Sequence, residues 1–121
     1  VLERAVSDAA TALGPDFNVV IAETHHIHKK DAPSGTALKL GEAITSARGD
    51  LDTRAIHYEV ERVGEVPGDH EVVFRSNNER LSFAHSVTSR DVFADGALHA
   101  ARWIIGRSAG LYRMSDVLIG D

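Results

Sequence analysis

The chain has 121 residues, a net charge of −5 and no cysteine. That is one domain's length. It excludes a disulfide scaffold or thiolate metal site, and the negative overall field disfavours nucleic acid as a partner. No apolar run reaches membrane-spanning length and no signal-peptide pattern opens the sequence, so a cytoplasmic protein without a membrane partner is expected.

Val1, Leu2, Ala5, Val6, Ala9, Ala10 and Leu13 recur at helical spacing. The pattern is already under way at the first residue, so the sequence is expected to be a piece of a longer protein. Gly14-Pro15 stops this helix, because glycine suits the position after a helix end and proline cannot continue it. Phe17 to Thr24 is almost wholly apolar and rich in β-branched residues, and reads as a strand buried on both faces. A basic run follows, with His25, His26, His28, Lys29 and Lys30 close together. Ala32 precedes a proline and is biased away from helical geometry. Ser34 is placed to cap a helix whose buried face is Ala37, Leu38, Leu40, Ala43, Ile44 and Ala47, ending near Arg48-Gly49-Asp50.

Three strand patterns come next: Ile56 to Val60, a segment around Val72 and Phe74, and Leu81 to Val87 with Leu81, Phe83, His85 and Val87 on one face. Arg62 to His70 reads as a Gly/Pro loop, and Arg75 to Glu79 as a tight polar turn. Asp91 to Gly106 is amphipathic, with Phe93, Ala97, Leu98, Ala101, Ile104 and Ile105 expected to face the core and Trp103 also expected to pack there. An irregular tail with a short turn at Ser115 to Val117 closes the chain. The expected fold is α+β: a four-stranded mixed sheet with helices on one face, in the order α-β-α-β-β-β-α. Val73 and Ala84 lie on the opposite strand faces, so the outer face of the sheet needs a cover. A homo-oligomer packed sheet to sheet is the simplest one.

The basic run admits three readings. It is a solvated loop before a capped helix. Or it is a metal site, in which His26 and His28 share a face and His25, His57, His70 or His85 completes the set; the interleaved lysines repel a cation, and no metal is expected. Or it is an acid–base and anion-binding site. Histidine titrates near neutrality, a lysine among cations gives up its proton more readily, and the helix start at Ser34, Gly35 and Thr36 offers free backbone N–H groups to a carboxylate.

The run from Glu23 to Ala37 fits E-x-H-H-x-x-K-x-D-A-P-S-G-T-A without a gap. Arg62 to Val72 resembles R-x-G-x-x-x-G-x-H-x-V, Glu79 to His85 resembles E-x-L-x-x-x-H, and Ser89 to Ala97 resembles S-R-x-x-F-A-x-G-A. These segments are similar to the 4-hydroxy-tetrahydrodipicolinate reductases, nicotinamide-dependent enzymes of lysine and diaminopimelate biosynthesis. The family's Rossmann domain, with its glycine-rich nucleotide fingerprint, has no match here. A further Arg/Gly-rich hairpin that many members carry before Arg62 is also absent. The resemblance therefore implies that residues 1–121 are the C-terminal substrate-binding and oligomerisation domain, inactive alone, with NADPH or NADH held by the missing domain. It implies His25 as general acid/base, Lys29 as proton donor, and His26, Ser34, Gly35 and Thr36 as the binding site for a small cyclic dicarboxylate. It also implies a tetramer. Asp31 is expected to be structural, His28 solvent-facing and His85 a core-edge residue bonded within the sheet. The non-catalytic alternative is an oligomerisation module.

Overall fold

A computed structural model of the chain describes residues 1–49 and 56–119. The elements are α1 (Leu2–Leu13), β1 (Asn18–His25), α2 (Gly35–Arg48), β2 (His57–Arg62), β3 (Gly68–Arg75), β4 (Arg80–Val87), α3 (Asp91–Trp103) and α4 (Met114–Ile119). The order and the α+β class agree with the sequence reading. The tail carries α4 where only a turn was expected. α2 ends at Arg48 with Gly49 as its C-cap, as expected, and Asp50 lies outside the described residues. Two compact units are present, one from Leu2 to Thr88 and another that begins at Ser89.

In the first unit the strands lie in the order β2-β1-β3-β4. β1 pairs with β2 in parallel and with β3 antiparallel, and β3 pairs with β4 antiparallel. A parallel pair cannot be closed by a hairpin, so the chain must cross over between β1 and β2, and α2 is that crossover. Helices α1 and α2 pack on each other, and the core forms where they meet one sheet face. It is built from Val6 and Ala10, Val19 and Ile21, Ala37, Leu40 and Ile44, and Val72 and Phe74. Full burial of each of Ile21, Ile44 and Phe74 contributes about 1.5–3 kcal/mol relative to exposure. Gly41 sits where α2 crosses the ring of Tyr58 on β2, and a Cβ there would overlap the phenol oxygen. The helix accepts a residue of poor helical propensity so that it can approach the sheet this closely. At the far end of α2, Arg48 turns into the core. Its Nη2 donates to the Phe17 carbonyl at 2.7 Å and its guanidinium lies 5.9 Å from the Phe74 ring centroid.

Three expectations need correction. β1 is not buried on both faces: Val19, Ile21, Glu23 and His25 are buried, while Val20, Ala22 and Thr24 on the other face are half-buried. A continuous apolar run reports a strand but not what covers its second face. Leu38 is exposed, being on the rim of the apolar arc of α2. The loop after β2 is also shorter than its Gly and Pro content suggested. Arg62 belongs to β2, and β3 begins at Gly68, so His70 is a strand residue.

The second unit departs most from expectation. None of the described residues of α3 is buried. Phe93 is 56% exposed, and Leu98, Ile104 and Ile105 are exposed with it, as are Ala97 and Ala101. The periodicity identified an apolar face correctly but carries no information on what packs against it. Trp103 is half-buried, edge-to-face with Tyr112 at 5.3 Å and under the Arg107 guanidinium at 3.6 Å. Asp116 closes the start of α4 by accepting from the Arg113 N–H at 2.7 Å.

Candidate functional site

Alternation along β1 continues the buried face from Val19 and Ile21 into Glu23 and His25. The antiparallel register sets Val19 against Phe74, Ile21 against Val72 and Glu23 against His70. One end of the core face is therefore polar. Glu23 is only 3% exposed, and a buried carboxylate is tolerated only when paired and hydrogen-bonded. Its Oε1 accepts from Arg62 Nη1 at 2.6 Å, and its Oε2 accepts from the Ser34 backbone N–H at 2.8 Å. Burial pushes the Glu23 carboxyl up, but the Ser34 hydroxyl and amide and the Arg62 guanidinium outweigh it and hold the group below its ordinary value.

Arg62 reaches Glu23 because the parallel register sets it beside His25 at the end of β2. Its other nitrogens clamp the basic loop: Nε donates to the Lys29 carbonyl at 3.2 Å and Nη2 to the Asp31 carbonyl at 2.6 Å. Backbone bonds from Val63 N to His25 O at 2.8 Å and from Ile27 N to Gly64 O at 3.1 Å hold the root of the loop. The segment is thus a braced loop and not a freely solvated one. Lys29 is half-buried, with Nζ 3.0 Å from Asp31 Oδ1. His26 is half-buried, and its Nδ1 has no hydrogen-bond partner among the described residues. His28 is exposed, as expected.

His25 is buried against Gly68. Its Nδ1 lies 3.5 Å from Glu23 Oε1, too long for a good hydrogen bond, and has no hydrogen-bond partner among the described residues. Burial lowers its pKa; Glu23 opposes this, and Lys29 and Arg62 add to it. Gly68 has φ of 158°, and a Cβ there would come 3.1 Å from His25 Nε2. Gly68→Ala therefore meets an unfavourable backbone and a crowded ring together. We expect it to destabilise the fold by roughly 1 kcal/mol or more and to shift the His25 ring resonances in NMR spectra; unchanged resonances would show that the ring is not held there.

At the start of α2 the expected cap is present: Ser34 is extended and its Oγ accepts from Ala37 N–H at 3.1 Å. Ser34 is 2% exposed, whereas Gly35 and Thr36 are exposed. The first helical turn leaves the Gly35 and Thr36 N–H groups without intrahelical partners. Of the three expected carboxylate-binding residues, these two face outward, and Ser34 fixes their position from below.

Sequence reasoning gave no role to Glu23 or Arg62, and named His70 only among the histidines that could complete a metal site. Period two from Val19 and Ile21 already placed Glu23 on the core side, and the same step back from Phe74 and Val72 placed His70 there. His85, expected at the core edge, is instead exposed, opposite His70 in the register. The metal reading drew on histidines alone, yet the grouping that forms is Glu23, His25 and His70, whose ligand atoms lie within 4.8 Å of one another. The Arg62 guanidinium, 2.6 Å from the carboxylate, occupies the charge that a cation would need.

The two buried histidines and Glu23 give the site a common pH response. His70 is also lowered, by burial first and then by His25, with Glu23 opposing. A lowered pKa in the folded state means that the unfolded chain binds more protons on acidification. Stability is then present above the unfolded values and is lost as pH falls through the folded ones. For the histidines the loss begins below the ordinary value of 6.5; for Glu23 it begins below 4.5. Urea midpoints are expected to fall between about pH 7.5 and about pH 5.5, and again below about pH 4.5. A midpoint constant over the upper window would contradict the lowered histidines.

The family model described as dihydrodipicolinate reductase, C-terminus, matches residues 1–118. The 4-hydroxy-tetrahydrodipicolinate reductase of Pseudomonas fluorescens strain SBW25 is 48% identical over 126 residues, covering 91% of this chain and 47% of that protein. The enzyme of the same name from Zymomonas mobilis subsp. mobilis is 45% identical over 133 residues, covering 97% and 52%. The chain spans about half the length of the curated relatives it matches. Among solved structures, the dipicolinate-bound dihydrodipicolinate reductase from Paenisporosarcina sp. TG-14 shares the fold, with a TM-score of 0.74 at 22% identity over 98% of this chain and 49% of that one. The polar end of the core and the braced basic loop thus belong to a chain that is a member of the dihydrodipicolinate reductase C-terminal family.

Proposed function

We propose that the chain is the substrate-binding and oligomerising domain of a 4-hydroxy-tetrahydrodipicolinate reductase acting in lysine and diaminopimelate biosynthesis in the cytoplasm. The observation that carries this reading is the start of α2: exposed Gly35 and Thr36, whose backbone N–H groups open the helix, follow directly on the loop that bears His26 and Lys29 and are fixed by Glu23 and Ser34. Such a helix start binds anions, and the substrate class is a small ring bearing two carboxylates. Gly35 and Thr36 hold one carboxylate directly, with Ser34 fixing them; His26 contacts the substrate. A Cβ at Gly35 would meet nothing within 4 Å, so the approach to that backbone is open.

Among the described residues no glycine-rich turn joins a strand to a helix in the way a dinucleotide-binding fingerprint does. NADPH or NADH, bound by the other half of the protein, supplies the hydride. The residues here supply charge and protons. Lys29 donates a proton where negative charge develops, and His25, buried with its proton loosely held, acts as general acid/base. No metal is required, because the Arg62 guanidinium already pairs with the Glu23 carboxylate. The half-buried outer sheet face around Val20 and Ala22 packs against other copies in a tetramer.

The test is an amide-NMR titration of the metal-free protein with dipicolinate, a planar dicarboxylate that also chelates metals. Saturable shifts at Gly35, Thr36, His26 and Lys29 are expected. Shifts confined to other parts of the molecule, or none with the complete reductase and its cofactor present, would overturn the reading. A non-catalytic assembly module would leave this loop silent while still forming oligomers.

A further inference from the structure

His70 has no part in the chemistry proposed above, yet it is buried, strand-borne and in contact with the cap of α2. Its Nε2 lies 3.1 Å from Ser34 Oγ and 4.0 Å from Glu23 Oε2, and its ring meets that of His25 edge-to-face at 5.1 Å. The Ser34 hydroxyl decides what His70 is doing. A hydroxyl has one proton to give and two lone pairs to receive. One lone pair is taken by the Ala37 N–H, which can only donate. The ionised carboxylate of Glu23 can only accept, and the Ser34 hydroxyl is among the groups that favour its charged form. Ser34 Oγ and Glu23 Oε2 both face His70 Nε2, at 3.1 and 4.0 Å, and an ionised carboxylate takes a hydroxyl proton in preference to a neutral ring nitrogen. What remains for His70 is a lone pair, and a lone pair needs a donor.

We propose that His70 is a positioning residue for the anion site: a neutral imidazole with its proton on Nε2, donating to Ser34 Oγ and so locking the cap that aims the Gly35 and Thr36 N–H groups. The opposite tautomer would set two acceptors, Glu23 and Nε2, against a single hydroxyl proton and leave one lone pair of the buried Ser34 hydroxyl empty. The nearby carboxylate also favours a proton on the nitrogen that faces it. The order of bonds is then fixed from β3 to the helix start, with His70 giving to Ser34 and Ser34 giving to Glu23. Glu23 in turn receives the Ser34 N–H. Each polar group in the chain has one role, which is the condition for a buried network to hold a single geometry. The ligand half of this proposal rests on the anion site proposed above; the tautomer does not.

The experiment has two arms on the same protein. Long-range proton–nitrogen spectra of the histidine rings at neutral pH are expected to show His70 with a pyrrole-type Nε2 and a pyridine-type Nδ1. A proton on Nδ1 alone, or on both nitrogens, overturns the proposal whatever the ligand does. In the second arm dipicolinate affinity is measured for the wild type, His70→Leu and His70→Gln. Leucine removes the donor and is expected to weaken binding about tenfold. Glutamine, whose amide N–H reaches a similar point, is expected to restore most of it, which a merely space-filling histidine would not predict. Equal affinity for leucine and wild type, or equal losses for both variants, overturns the positioning role. A wild type that binds no dipicolinate, with the Nε2 proton in place, overturns the anion site and the positioning role with it, but not the tautomer.

Discussion

Lys29→Ala in the complete reductase is expected to lower kcat/KM by about 10²–10⁴-fold, the usual contribution of a positioned proton donor, with little change in stability. The structure makes this substitution cleaner than any at the histidines. The Lys29 side chain is held by Asp31, whose own side chain is 61% exposed, and such pairs are worth about 0–1 kcal/mol. What Arg62 grips is the Lys29 carbonyl, which alanine keeps. His25→Ala, by contrast, removes a ring packed against Glu23 and Gly68 and confuses chemistry with packing. Steady-state kinetics together with thermal unfolding separate the two effects. Turnover near that of the wild type would remove Lys29 from the chemistry.

The largest structural effect is expected at Glu23. Glu23→Ala leaves the Arg62 guanidinium without its carboxylate and the Ser34 amide without its acceptor. Losing one partner of a buried pair costs about 3–5 kcal/mol, a large share of the roughly 5–15 kcal/mol that keeps a domain folded. Urea unfolding measures it. Glu23→Gln, which keeps an acceptor for Ser34 while removing the charge, is expected to lose less and to remain folded. Glu23→Ala combined with Arg62→Ala should cost less than the sum of the single changes, because each then removes a charge that the other would leave stranded. Strict additivity would mean that the two act independently and that the loop is held by other means.

The histidines and the helix start were legible in the sequence because their chemistry is written in consecutive residues. The cap at Ser34 could be read from its position before an apolar helical pattern, and the structure has it. Glu23 and Arg62 are separated by 39 positions and meet only because β1 and β2 pair in parallel in one register. No local pattern encodes that. His70 was hidden for a different reason. The Pro67-Gly68 pair before it looks like a loop, whereas Gly68 is there because the His25 ring leaves no room for a side chain. The apolar face of α3 shows the converse limit: periodicity identified the face, and the structure of the single chain leaves it exposed.

Among the described residues, the hydrogen bonds by which Arg62 holds the loop go to carbonyl oxygens at residues 29 and 31 and to no side chain within it. A grip of this kind measures length and is indifferent to composition. The outward side chains at Ile27, His28 and Lys30 are therefore open to exchange. A single residue gained or lost between His26 and Ser34 would slide Lys29 away from its place or pull the helix start from its seat. These outward positions should tolerate substitution widely in descendants and relatives while the segment keeps one fixed count of residues, and a designer seeking new specificity should change those letters and never the length.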